Sequence, residues 1–301
     1  MTSPDGIIIV DKPAGWTSFD VVARIRNLSR VKKVGHSGTL DPIATGVLPV
    51  FLGSATKQIE RFLNGDKGYL AEMMLGIKTD TGDADGKVVE TVNGKRFTGQ
   101  EIEKAFNKYR GKIKQIPPMY SAIKIKGKKL YELARKGIEV EREPREITIY
   151  QLTLLGPDGK RPASELIAGL VEEWPPAVEG DYQRVIFYVE CSKGTYIRKL
   201  IEDVGDDLGC GAHMTRLVRT YAHPFHLSQA LTMETIVTLA KNDKLATVVI
   251  KPEDVLTSPT VSLKRAGCSK PENEFSVSRD GLNIRDIGTE TSVSGSNIES
   301  V

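Results

Sequence analysis

The sequence predicts an α/β protein in which strands and helices alternate along most of the chain. Short apolar runs suited to strands, such as Gly6–Val10 and the alternating Val185, Phe187, Val189 and Cys191, recur along it. Between them lie segments whose apolar residues return every three or four positions, each bounded by capping residues, glycine or proline. With 301 residues, 40% apolar and 27% charged, the chain has ordinary globular composition and is long enough to bury a sizeable core.

Taken in order, Gly6–Val10 reads as a buried strand and Asp11–Gly15 as its turn. Thr17 with Asp20 makes a capping box for a helix to about Ser29, with Phe19, Val22, Ala23 and Leu28 on its apolar face. Tyr69–Ile77 reads as a strand, with Lys87–Thr91 as its hairpin partner across Asp80–Gly86. That connection, DTGDADG, invites a calcium reading. Thr81 and Val92 fall where such a loop needs an acid and a bidentate glutamate, so an Asx-type turn is the better account. Thr98 with Glu101 opens a helix carrying Ile102, Ala105, Phe106 and Tyr109 that stops at Gly111. Pro117 and Pro118 exclude helix, Met119–Ile125 should be extended, and Lys128–Arg135 suits a basic helix ending at Gly137. The stretch 156–180, bracketed by prolines and joined by glycines, reads as an insertion. After the strand ending at Cys191, a helix carries Ile197, Leu200, Ile201, Val204 and Leu208, with Tyr196 and Arg198 in its first turn. An arginine there opposes the helix dipole, which calls for a local carboxylate. Residues 1–256 are expected to form the main domain and 257–301 a short polar tail.

Composition excludes several classes. No apolar run approaches the roughly 18 residues of a membrane helix, and MTSPDGIIIVDK has an acid ahead of a short strand-like run, unlike a signal peptide. A cytoplasmic location is expected. Cys191, Cys210 and Cys268 are odd in number, far apart and without ligand spacing, so neither a disulfide framework nor a metal site is expected. Net charge is only +3, but its distribution is uneven. Arg24, Arg26, Arg30, Lys32 and Lys33 fall in a run without acids. A second region holds Lys124, Lys126, Lys128, Lys129, Arg135, Lys136, Arg142 and Arg145. Either alone reads as a solvated face; together they suit a surface that follows phosphates.

Between the two runs lies Gly35–Lys57, GHSGTLDPIATGVLPVFLGSATK, with four glycines, two prolines, His36 and a single acid, Asp41. On local spacing Asp41 followed by Pro42 reads as a helix cap with proline at the first helical position. The glycine-flanked histidine and the basic lead-in favour a rigid loop that presents one carboxylate.

This stretch resembles the signature of TruB-type tRNA pseudouridine synthases. So do VDKPAGWTS at 10–18, QIPPMYSAIKIKGKKLYELAR at 115–135 and CSKGTYIRKLIEDVGDDLGCGAH at 191–213. The resemblance implies a pseudouridine synthase fold with a mixed, largely antiparallel sheet flanked by helices. It implies isomerisation of uridine at position 55 in the T-loop of tRNA, by a monomer that needs neither cofactor nor guide RNA. It places the catalytic aspartate on Asp41, its partner on Arg198, and substrate contacts on His36, Tyr69, Tyr196 and Leu217. Tyr69 would offer an aromatic face to the flipped base and Leu217 an apolar wall. Arg24, Arg26, Arg30, Lys32, Lys33, Lys124, Lys128 and Lys129 would hold the RNA backbone. Ser37 departs from the usual threonine, and Val218-Arg219 stands where two arginines are common, which suggests a weakened RNA contact. The tail does not resemble a PUA domain. Two other readings keep the fold: an RNA-binding folding factor in which Asp41 matters little, and a guide-dependent synthase of the dyskerin type.

Overall fold

The computed structural model describes residues 4–125, 127–156, 164–172, 174 and 182–257. The expected tail, apart from residue 257, lies outside them, as do both flanks of the 156–180 insertion. The N-terminal part runs β1 (Gly6–Lys12), α1 (Ser18–Ser29), β2 (Val34–His36), β3 (Thr45–Leu52), α2 (Ile59–Leu63), β4 (Lys67–Leu75), β5 (Ile77–Thr79), β6 (Val88–Thr91), α3 (Gly99–Asn107) and β7 (Gly111–Gln115). Then come β8 (Lys124–Ile125), β9 (Lys128–Lys129), α4 (Leu130–Ala134), β10 (Arg145–Leu155), α5 (Glu165–Glu172), β11 (Gln183–Cys191), α6 (Ile197–Asp207), β12 (Ala212–Ala222), β13 (Phe225–His226), α7 (Met233–Lys241) and α8 (Pro252–Thr257).

Nine strands make the main sheet, in the order β1-β3-β12-β4-β11-β10-β7, with β2 added to β3 and β13 to β12. Every pairing in it is antiparallel except β12 with β3, where Val218 faces Thr45 and Arg219 faces Gly46. The sheet is therefore mixed and largely antiparallel, as the resemblance implied. Side chains alternate across it. On one face Ile8, Val10, Tyr69, Ala71, Met73 and Phe187 pack with Val21 and Ile25 of α1, Phe106 of α3 and Leu200 of α6. On the other, Ile7, Ile9 and Phe51 meet Phe62 and Phe225, while Leu70, Leu155 and Val218 pack beside Ile167, Leu170 and Val171 of α5. The free edge of β1 is closed by backbone bonds: Ile7 exchanges two with Ile250, and Leu231 bonds Ile9 and Asp11.

Three expectations change. The buried side of α1 is Ser18, Val21, Val22, Ile25 and Ser29, whereas Phe19 is 68% exposed and Ala23 and Leu28 are only half-buried. The Ser18 hydroxyl takes the Leu40 N–H at 2.9 Å, which turns this side of the helix inward. The Lys87–Thr91 segment, as β6, pairs with the separate short strand β5 instead of with β4. The expected basic helix shrinks to the five residues of α4, because Lys124–Ile125 and Lys128–Lys129 form a hairpin around Gly127 before it; upstream, only these last two residues of Met119–Ile125 are strand.

Candidate active site

The loop between β2 and β3 carries Asp41. Pro42 and Ile43 form a turn closed by the Ala44 N–H on the Asp41 carbonyl at 3.1 Å, and no helix follows. The cap reading is therefore corrected: with no helix to cap, the carboxylate is left for other work. Buried donors from distant segments fix the loop. Lys12 is wholly buried, and its ammonium donates to the carbonyls of Pro13, Trp16 and Pro42 at 2.8, 2.6 and 3.2 Å. Arg219, 1% exposed, donates from Nε to the Val47 carbonyl at 2.7 Å and from its Nη atoms to those of Gly38 and Thr39. Gly46 is required where β3 meets β12. Its φ is +97°, and a Cβ there would lie 2.3 Å from the Arg219 carbonyl oxygen.

Arg198, in the first turn of α6, meets Asp41 in a two-pronged pair: Nε donates to Oδ2 at 2.9 Å and Nη2 to Oδ1 at 3.1 Å. The arginine side chain is 6% exposed and that of the aspartate 33%, so the carboxylate is held from beneath and open on its other side. The carboxylate that the dipole argument called for is Asp41. The remaining guanidinium donors go to the carbonyls of Thr81 at 2.9 Å and Tyr120 at 2.8 Å. Asp83 stands 3.6 Å from Nε. Its carboxylate accepts from the Thr81 hydroxyl at 2.6 Å, and burial pushes its pKa above the usual carboxylate value. The Asp80–Gly86 connection is thus the rear wall of the site, a role that reading it as a turn did not reveal.

Tyr69 lies opposite Arg219 on the neighbouring strand and shares its cluster with Leu40 and Leu217. It is 7% exposed. Burial pushes its phenol up to about 12 against the opposing charge of Arg219, so the hydroxyl stays protonated. The ring offers little open face here. Leu217 is buried in register with Ala71. Tyr196 caps α6, its backbone tied in both directions to the Gln115 side chain, and burial raises its pKa. His36 ends β2 with Nδ1 shielded from solvent and without a partner; burial and then Arg219 lower its pKa.

Of the expected backbone contacts, Arg24, Arg30, Lys32, Lys33, Lys124 and Lys128 are exposed. Arg26 is half-buried and turned onto the Val34 carbonyl, and Lys129 leans on the Tyr131 ring and hydroxyl. Arg219 is spent as a buried clamp on backbone carbonyls of the Asp41 loop and β3, and Val218 sits in an apolar cluster beside α5. Lys12, Thr81, Asp83 and Arg219 were not foreseen as parts of the site. A lysine or arginine amid apolar strand residues was the available sign for two of them.

Residues 26–197 match the family model described as TruB family pseudouridylate synthase, N terminal domain, which is more than half of the chain. The chain belongs to this TruB family. Residues 198–257 match the model for the tRNA pseudouridylate synthase B C-terminal domain. β12, from that second segment, lies between β3 and β4 of the first, so both TruB segments build one sheet and one site. Among relatives named tRNA pseudouridine synthase B, the protein of Clostridioides difficile (strain 630) is 42% identical over 254 residues, 84% of this chain and 77% of its own. That of Clostridium tetani (strain Massachusetts / E88) is 47% identical over 232 residues, 77% of this chain and 72% of its own. Among solved structures, a chain of a Cbf5-Nop10-Gar1 complex matches with TM-score 0.60 and 29% identity, covering 84% of this chain and 61% of that one. This TruB-family chain is thus a pseudouridine synthase by family and by fold.

Proposed function

We propose that the protein converts uridine to pseudouridine in the T-loop of tRNA, at the position usually numbered 55, with Asp41 as the catalytic carboxylate. The observation that carries this reading is the paired but open Asp41: gripped on one edge by Arg198 and a third exposed on the other. The reaction breaks the bond from ribose C1′ to uracil N1, turns the base, and joins C1′ to C5. The proton displaced from C5 is balanced by one taken up at N1. A carboxylate fixed in one orientation serves as the nucleophile that also leaves. A base inside a folded loop must first leave its stack, which costs a few kcal/mol. His36, half-buried at the end of β2, would occupy or prop open the vacated space, and Leu217 would bound the pocket for the extruded base.

The relatives named for tRNA support that substrate, and the exposed cations on both sides of the loop suit its phosphates. No helix among the described residues is long and apolar enough to cross a membrane. We take the enzyme to act as a monomer in the cytoplasm, without guide RNA or cofactor.

The test is pseudouridine formation in an unmodified tRNA transcript, read by primer extension on carbodiimide adducts, with wild type and Asp41→Asn compared. A single stop at the T-loop uridine, absent in the mutant although it binds the RNA as wild type does, is the expected result. Modification that survives in Asp41→Asn overturns the mechanism. Modification by wild type only after a guide RNA is added moves the protein to the dyskerin type.

A further inference from the structure

Phe19 is the most exposed large apolar residue among those described, at 68%, on a helix whose other apolar residues are buried or half-buried. We propose that Phe19 is a stacking site for an unpaired nucleobase of the RNA, set beside the catalytic loop by the first turn of α1. The inference rests on the RNA-modifying role proposed above.

The ring is held on a stiff mount. Thr17 and Asp20 close a capping box around it, with the Thr17 N–H on the Asp20 carboxylate at 2.8 Å and the Asp20 N–H on the Thr17 hydroxyl at 3.1 Å. Ser18, the residue before it, bonds the backbone of Leu40, the residue before Asp41. Gly15 N–H reaches the carbonyl of Pro42, the residue after Asp41, at 2.9 Å. The segment presenting Phe19 is therefore tied to the catalytic turn on both sides of its carboxylate. The backbone that carries the ring cannot move far without moving Asp41.

Charge selects the occupant. From Val21 to Lys33 the chain has no acid, and Arg24, Arg30, Lys32 and Lys33 are exposed. The nearest acid, Asp20, is engaged in the capping box. A second copy of this chain would bring the same cations against these, which disfavours self-association through the face. An RNA brings phosphates for the cations and a π-face for the ring, and stacking on an aromatic side chain accepts any base.

The experiment is binding of a T-arm stem-loop to Phe19→Ala, Phe19→Leu and Phe19→Trp, with product formation on the same RNA measured in parallel. Removing the ring should weaken binding by about tenfold. Phe19→Trp should restore it and Phe19→Leu should not. The phenyl is exposed, so thermal midpoints should match wild type. A series of RNAs each lacking one loop base then locates the contact: one abasic position weakens wild type but not Phe19→Ala. Equal binding by wild type and Phe19→Ala, full rescue by leucine, or no abasic position that couples to the substitution overturns the stacking site. Wild type that binds but makes no pseudouridine overturns the parent reading instead, and the two failures are told apart by the product assay.

Discussion

Asp41 is positioned by what holds it. Its partner Arg198 spends its donors on two carboxylate oxygens and two backbone carbonyls, those of Thr81 and Tyr120. A lysine carries the charge but not the planar fork, so it cannot make the four bonds together. Arg198→Lys should therefore lower the single-turnover rate about a hundredfold, since a small misplacement of a reacting group costs that much, while RNA affinity changes little. Rapid-quench kinetics at saturating RNA checks it; a rate near wild type would mean that charge alone suffices. Gly46 makes a second residue-scale case. A methyl group there would meet the Arg219 carbonyl at 2.3 Å with φ at +97°. Gly46→Ala should destabilise the fold by at least about 1–3 kcal/mol, in the range of overpacked cores, and should lose activity by shifting the loop. Urea titration with an assay of the folded fraction separates the two effects.

At the scale of elements, α1 and the Asp41 loop behave as one unit because the Ser18 hydroxyl joins them. Ser18→Ala would leave the buried Leu40 N–H without its partner, at a cost of about 1–3 kcal/mol. Its unfolding free energy should fall by that amount in a urea titration, and product formation should fall with it; an unchanged free energy would show that the loop stands without the helix. The same bond explains what could be read from the chain and what could not. The caps at Thr17 and Thr98, the alternation in β11 and the apolar face of α6 are local patterns, and each forms as expected. The face of α1 is set by a partner 22 residues away, so the inward side keeps Val22 of the expected face but is turned away from Phe19. Asp41 and Arg198 came from motifs and a dipole argument. Arg219 escaped because its acceptors lie 172 or more residues earlier. Asp83 escaped because a turn-forming stretch shows no sign of the guanidinium it will face.

For the whole molecule, burial of titratable groups sets how stability follows pH. His36 and His213 both have pKa values lowered from 6.5, chiefly by desolvation, and the Nδ1 of His213 lies 3.0 Å from the Ile77 carbonyl. Between those lowered values and 6.5, the unfolded chain binds protons that the native protein does not. The contribution of these two histidines to stability therefore falls as pH falls through that window. Asp83 acts with the opposite sign. Its pKa is raised above 3.8, so the native protein keeps this proton to a higher pH than the unfolded chain does. That contribution is fully present below 3.8 and lost as pH rises through the raised value, which leaves the histidines to govern the slope nearer neutrality. Calorimetry from pH 7.5 down to 5.5 should show a falling midpoint. His213→Asn keeps a donor for the Ile77 carbonyl but cannot titrate, so it should flatten the fall, and His36→Asn combined with it should flatten it further. A double variant with the wild-type slope would show that these two histidines do not carry the pH dependence, which would then fall to other groups such as His226, whose pKa burial also lowers.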